Sequence, residues 1–175
     1  HTGLGNSGYV QIDDTQANQT GSSNVWRNTA PTSSVFKVGL DSIAPANGRT
    51  MVAYCFAPVQ GYSKFGHYGG NGDADGTFVY LGFKPALIIV KATDADNWRM
   101  YDHKRANPRN VINVRITADT NSAESQDDNE CDFLSNGVKW RSSSGGVNSS
   151  GQEYIYMAFA EHPFVSSEGV PCTAR

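Results

Sequence analysis

Asn71-Gly72-Asp73-Ala74-Asp75-Gly76 places oxygen-bearing side chains at alternate positions ahead of a glycine, the pattern that opens a calcium loop. Such a loop closes on a bidentate carboxylate at its twelfth position, and Gly82 stands there instead. The run is therefore read as a glycine-rich hairpin turn, with no metal site. A second acidic run, Glu124 to Asp132 (ESQDDNECD), carries Glu124, Asp127, Asp128, Glu130 and Asp132 and is read as a solvated loop.

Hydrolytic chemistry finds little to work with. A glycosidase needs two carboxylates at a set separation in a cleft, and nothing selects a pair from Asp94, Asp96, Asp102 and Glu161. His1, His67, His103 and His162 lie in no G-x-S-x-G setting. Cys55, Cys131 and Cys172 lack the close spacing of a zinc site, and their odd number does not describe a disulfide framework. Cys55 is expected as a small core residue in mid-strand; Cys131 and Cys172 are the better-placed pair if a bridge exists. The chain is expected to be non-enzymatic, with no catalytic residue and no cofactor.

Aromatic residues among polar neighbours are the stronger functional signal. Tyr62, Phe65, His67 and Tyr68 lie in a glycine-rich stretch, and Trp98 and Tyr101 follow a polar loop. Sugar rings stack on aromatic faces while loop amides bind their hydroxyls, so these six residues are the candidate receptor contacts. The competing role is packing, because aromatics supply much of the buried surface of β proteins. Candidate contact loops are 61–76, 93–98 and 142–151.

The elements that must position these side chains are strands. Gly, Ser, Thr and Asn are plentiful and charged residues make up only 18 %, which favours strands and turns over helices. Period-two alternation marks strands near 9–12, 35–38, 50–57, 63–68, 77–80, 86–92, 98–102, 111–116, 133–134, 138–141 and 153–161. Asn47-Gly48, Asp75-Gly76 and Asn136-Gly137 supply turns between them. Leu81-Gly82-Phe83-Lys84-Pro85 breaks two strands with Gly and Pro, marking a change of chain direction. Ala86 to Val90 is a continuous apolar run and is expected as the most buried strand. Apolar residues occupy both odd and even positions from Tyr154 to Ala160, so both faces of that strand are expected to be covered.

One passage occurs twice. Residues 36–59 and 138–164 each run a short strand, a polar loop closing on Gly, an alternating strand, and Phe-Ala, with the same offset from Gly48 to Phe56 as from Gly151 to Phe159. The fold expected is all-β: an antiparallel, jelly-roll-like β-sandwich built from two related hairpin units, with short loops and little helix. Residues 1–30 are expected as a polar arm or the end of a preceding unit, leaning on another domain or chain, and 31–175 as the sandwich module. The chain opens on His1 rather than Met and is expected to be a processed product or a piece of something longer.

Net charge is −3 and no basic run is present, so a nucleic-acid footprint is missing. The apolar runs fall far short of the ~20 residues of a membrane-spanning helix, and no membrane insertion is expected.

Ala53-Tyr54-Cys55-Phe56-Ala57-Pro58-Val59-Gln60-Gly61-Tyr62-Ser63-Lys64-Phe65-Gly66, Phe78-Val79-Tyr80-Leu81-Gly82-Phe83-Lys84-Pro85 and Tyr154-Ile155-Tyr156-Met157-Ala158-Phe159-Ala160-Glu161 together resemble a known family. The family is a repeated β-module in tail-fibre and other virion-associated proteins of bacteriophages, many of them marine. The resemblance covers the chain from Pro31 onward, and more loosely before it. It implies an extracellular module on the tail or capsid exterior, one that meets a bacterial surface glycan or protein. The other role it implies is capsid decoration or fibre shaft, in contact only with other virion subunits. It also implies a homotrimer, and it carries over no binding or catalytic residue. Asp73 departs from the family pattern, where a small residue is common, as do Arg49 and Met51, where Gly-x-Thr-Tyr is common.

Overall fold

The computed structural model describes residues 1–20, 23–40, 50–105 and 110–163. Eight strands carry the fold: β1 Ser63–Gly69, β2 Phe78–Tyr80, β3 Pro85–Ala92, β4 Arg99–Asp102, β5 Ile112–Thr117, β6 Ser125–Leu134, β7 Gly137–Trp140 and β8 Glu153–Ala160. The only helical pieces among the described residues are single turns at Thr2–Leu4 and Ser23–Trp26. The expected all-β, antiparallel class holds.

All eight strands join one antiparallel sheet in the order β1-β8-β3-β4-β5-β6-β7-β2. The sheet curls so far that its ends meet. Tyr68 on β1 stacks on Trp140 of β7 with ring centroids 5.9 Å apart, and Tyr101 of β4 meets the same indole edge-on at 5.6 Å. At the seam no ladder joins β1 to β2; side chains do. Lys64 Nζ donates to the Tyr80 carbonyl at 2.7 Å, and Thr77 Oγ1 donates to that of Gly69 at 2.8 Å. The result is a flattened, nearly closed barrel.

Alternation explains which side chains fill it. Ile88 and Val90 of β3, Tyr154 and Ala158 of β8, and Val138 and Trp140 of β7 are fully buried and belong to one core. Burying a side chain of this size contributes roughly 1.5–3 kcal/mol, so the interior is the main source of stability. The Ala86–Val90 run lies in β3 as expected, between β8 and β4. Ala86, Leu87 and Ile89 keep intermediate exposure. The corner at 81–85 carries the chain from the β2 edge to the other half of the sheet, with Gly82 at φ +83°. Gly137 opens β7 beside Val79, whose carbonyl oxygen would stand 2.2 Å from any Cβ there.

Three expectations are corrected. Residues 138–160 do not form a hairpin: β7 pairs with β6 and β2, while β8 pairs with β3 and β1. The long loop between them spans the end of the barrel instead of folding tightly. The described parts of the first copy, 35–40 and 50–58, carry no strand. Met51, Val52, Tyr54 and Phe56 remain 55–82 % exposed, and the segment that carries them pairs with no strand. The turn at 44–48 lies outside the described residues. Tyr9 to Ile12 also forms no strand and contributes a single bridge, Tyr9 to Gln19.

The described N-terminal residues lie on the chain's own sheet. Leu4 packs with Trp98 and Ile155 on the outer face, next to Val10, Ile89 and Met157. Trp98 Nε1 donates to the Gln11 carbonyl at 2.6 Å, Asn18 N to that of Thr93 at 2.7 Å, and Asp96 N to that of Thr15 at 3.0 Å. Lys91 is fully buried in this region, and Nζ donates to the carbonyls of Ala92 and Asp94, each at 2.8 Å. Burial pulls its ammonium below the usual lysine range.

Candidate functional site

The loops 70–77, 93–98 and 141–152 gather at one end of the barrel, where β1, β3 and β7 finish and β8 begins. Asn148 ties two of them together. Its fully buried amide donates to Asn71 Oδ1 (2.7 Å), the Asp73 carbonyl (2.9 Å) and the Ser142 carbonyl (3.0 Å), and accepts from Asn71 N (3.1 Å). The oxygens of the calcium-like turn are spent inside it: Asn71 Oδ1 accepts from Asp73 N and Asp73 Oδ1 from Asp75 N. Lys139 holds Asp75 at 2.8 Å and, through that hydrogen bond, keeps its carboxyl below the usual range. The run is a braced turn whose acceptors face its own amides.

The acidic run 124–132 is corrected from a solvated loop. Most of it is strand β6, and Glu130 and Asp132 are buried. Glu130 accepts from the Tyr101 phenol and from Arg115 Nη1, and stands 3.4 Å from Arg99 Nη1. Arg99 also reaches Ser144 Oγ at 3.3 Å, which ties the β7–β8 loop to this cluster. Burial, reinforced by the Glu130 charge, pushes the Tyr101 phenol well above its ordinary value, so it stays a proton donor. A run so nearly all polar gave no sign of this, because the arginines that balance Glu130 lie 15 and more residues away.

The six candidate receptor residues are dispersed. Tyr68 and Tyr101 are in the core and Trp98 lies beneath the N-terminal residues, so these three cannot meet a receptor from the surface. Their polar sequence neighbours belong to the opposite face or to loops. Trp98, with Leu4, Tyr9, Trp26, Ile155 and Met157, lines an apolar pocket of about 140 Å³. His67 is exposed on the outer face of β1.

Tyr62 and Phe65 do come together. Phe65 meets Phe159 of β8 edge-on at 5.8 Å, and Tyr62 meets the same ring at 6.3 Å. Phe56 completes the patch, 5.9 Å from Phe65 and 6.4 Å from Phe159. Phe56 and Tyr62 are 64 % and 46 % exposed, so the patch presents ring faces to solvent. Phe78 and Tyr80 are exposed on the neighbouring β2, with Lys64 Nζ 4.9 Å from the Tyr80 ring centre. Sequence reasoning missed Phe56 and Phe159 as partners; a repeated Phe-Ala at equal offset in both copies was the available signal.

Beside this patch, at the end of the barrel opposite the braced loops, lies a charged mouth. Ala160 N donates to the Tyr62 carbonyl at 2.8 Å, and the next residue, Glu161, donates its own N–H to Lys84 at 2.9 Å. Glu161 pairs with Lys84 Nζ at 2.8 Å and faces His103 Nε2 at 3.6 Å. The hydrogen bond from Lys84 holds the Glu161 carboxyl below the usual range. Of the other carboxylates weighed for hydrolysis, Asp96 lies 3.8 Å from Arg99 and Asp102 bonds Arg105 at 2.7 Å. Cys55 is exposed and Cys131 buried, both as free thiols, whereas Cys172 lies outside the described residues. Cys55 thus is not the core residue its alternating segment suggested, since that segment joins no sheet.

No curated protein and no solved structure matches the chain. A family model does match, across residues 1–163, and on that extent the chain belongs to the DUF7483 family, described as a domain of unknown function.

Proposed function

We propose that this chain is a non-enzymatic recognition module of a bacteriophage virion, acting in a tail fibre or receptor-binding protein that contacts a bacterial surface glycan or protein. The observation that carries the reading is the solvent-facing aromatic patch in which Phe65 and Phe159 of the sheet meet Tyr62 and Phe56 beside it. Aromatic faces bind the apolar faces of sugars at low entropic cost, because their own motion is already restricted by packing. Individual contacts of this kind are weak, and a homotrimer displayed in several copies multiplies them. On this reading the module works outside the host cell.

A second reading is a capsid-decoration or fibre-shaft module that meets only other virion subunits. The exposed apolar residues Val35, Phe36, Leu40, Met51, Val52 and Tyr54 favour it, since such surface ordinarily marks an interface. Glycan-array and whole-cell binding with the Tyr62→Ala/Phe65→Ala double variant separates the two. Recognition predicts a loss of at least about tenfold (about 1.4 kcal/mol). Unchanged binding, or none by the wild type, with a stable oligomer in light scattering, favours the shaft.

A further inference from the structure

Lys84, His103, Lys104 and Glu161 ring a cavity of about 320 Å³ at the barrel mouth, floored by Ile112 and Phe133. We infer that this cavity binds one acidic sugar, a hexuronate, with its carboxylate on Lys104 and its hydroxyls on Glu161. The inference deepens the recognition reading above by naming the class of glycan.

Charge is the first argument. Glu161 is balanced by Lys84 at 2.8 Å, while among the described residues no carboxylate pairs with the Lys104 ammonium. Lys104 is held only through its backbone, whose N–H donates to Asp102 Oδ1 at 2.9 Å, so its side chain is free to reach over the cavity. His103 is oriented by the contact of Nδ1 with the Ala86 carbonyl at 3.2 Å, which turns Nε2 toward Glu161.

Hydrogen-bonding pattern is the second. A bare anion gains Lys104 but meets the charge of Glu161. A neutral sugar offers hydroxyl donors to Glu161 but only uncharged oxygen acceptors to Lys104, without the charge-assisted hydrogen bond of a carboxylate. A hexuronate supplies both partners at once. The volume lies near the lower end of ligand pockets, roughly 300–1,000 Å³, and suits one sugar and not a chain of them. Asn110 makes the floor rigid: its amide exchanges two 3.0 Å hydrogen bonds with the Phe133 backbone. Tyr62 lies one backbone hydrogen bond from Ala160, next to Glu161, so an adjoining sugar in the same glycan reaches the aromatic patch.

The test is titration of the full 175-residue chain, followed by NMR or calorimetry, with sodium glucuronate, glucose and inorganic sulfate. Glucuronate is expected to bind at least about tenfold more tightly than glucose or sulfate. Lys104→Ala, at an exposed position, is expected to abolish that preference with no change in melting temperature. Equal binding of glucuronate and glucose overturns the inference. So does sulfate bound as well as glucuronate, or a preference that survives Lys104→Ala. Glycan binding that depends on Tyr62 but ignores the acid removes the pocket and leaves the recognition reading standing; absence of any glycan binding removes the pocket and narrows the recognition reading to a protein receptor.

Discussion

Residues 50–57 and 153–160 share an apolar run that closes on Phe-Ala and are opposite in circumstance. Gly48 and Gly151, and again Phe56 and Phe159, are 103 residues apart, and both segments alternate apolar side chains through to Phe-Ala. The later copy is β8, with β1 on one side and β3 on the other, and Tyr154 and Ala158 fully buried. The earlier copy joins no ladder and leaves Val52 and Tyr54 74 % and 82 % exposed. Alternation therefore writes the capacity to be a strand. Whether it becomes one is decided by a free edge and a second layer, which belong to the rest of the chain.

Thiol chemistry offers the largest contrast between the copies. Cys55 is exposed and is expected to react with a maleimide in the native protein at the rate of a free thiol. Cys131 is fully buried on β6, and burial raises its thiol well above the usual range. Its labelling should wait for unfolding and be slower by roughly a thousandfold or more. Comparable rates for both would break the comparison. Next is truncation: Tyr154→Ala removes a ring stacked 5.0 Å from Tyr68 and a phenol that donates to the Gly145 carbonyl, and should cost about 3–5 kcal/mol. Met51→Ala, at the equivalent position of the earlier copy, should stay within about 0.5 kcal/mol in urea unfolding. A large Met51 effect would mean that the earlier strand is packed after all.

Smaller effects sharpen the difference. Asn148→Ala should cost about 2–3 kcal/mol, since it strands the groups that its amide satisfies in two loops. Melting temperature and protease sensitivity of 70–77 and 141–152 would report it. Smallest is the acid response of the barrel mouth. Glu161 has a carboxyl held below its unfolded value by Lys84, so its contribution is present above the ordinary carboxylate range. It is lost as pH falls through the depressed folded value, and should amount to about 0.5–1 kcal/mol. Glu161→Gln should flatten that part of the stability profile; the earlier copy has Pro58 at this place and no counterpart.

From Ser63 onward the strands were legible in sequence, because one face of each is buried and the period of two survives in the residue types. β6 was legible only at its last residues: its acidic sequence masks a strand in which Glu130 is balanced by Arg99 and Arg115 and Asp132 by Arg141. Pairing was not legible either. β7 and β8 read as a hairpin, but the loop between them is long enough to cross the barrel end. Of the candidate receptor residues, Tyr62 and Phe65 lie in one partly exposed aromatic patch, whereas Tyr68 is buried, because it stands three residues from Phe65 and so belongs to the other face. The charged mouth was invisible because Lys84, His103 and Glu161 come from the ends of three different strands.

The seam between β1 and β2 has a consequence for how the protein behaves when concentrated. A sheet that stops short of closure keeps two rows of backbone donors and acceptors, each a template on which a foreign strand can polymerise. Here Lys64 and Thr77 occupy carbonyls on the facing edges with their side chains, and the rings of Tyr68 and Trp140 draw those edges together. Two polar side chains thus occupy acceptors that a foreign strand would need at this seam.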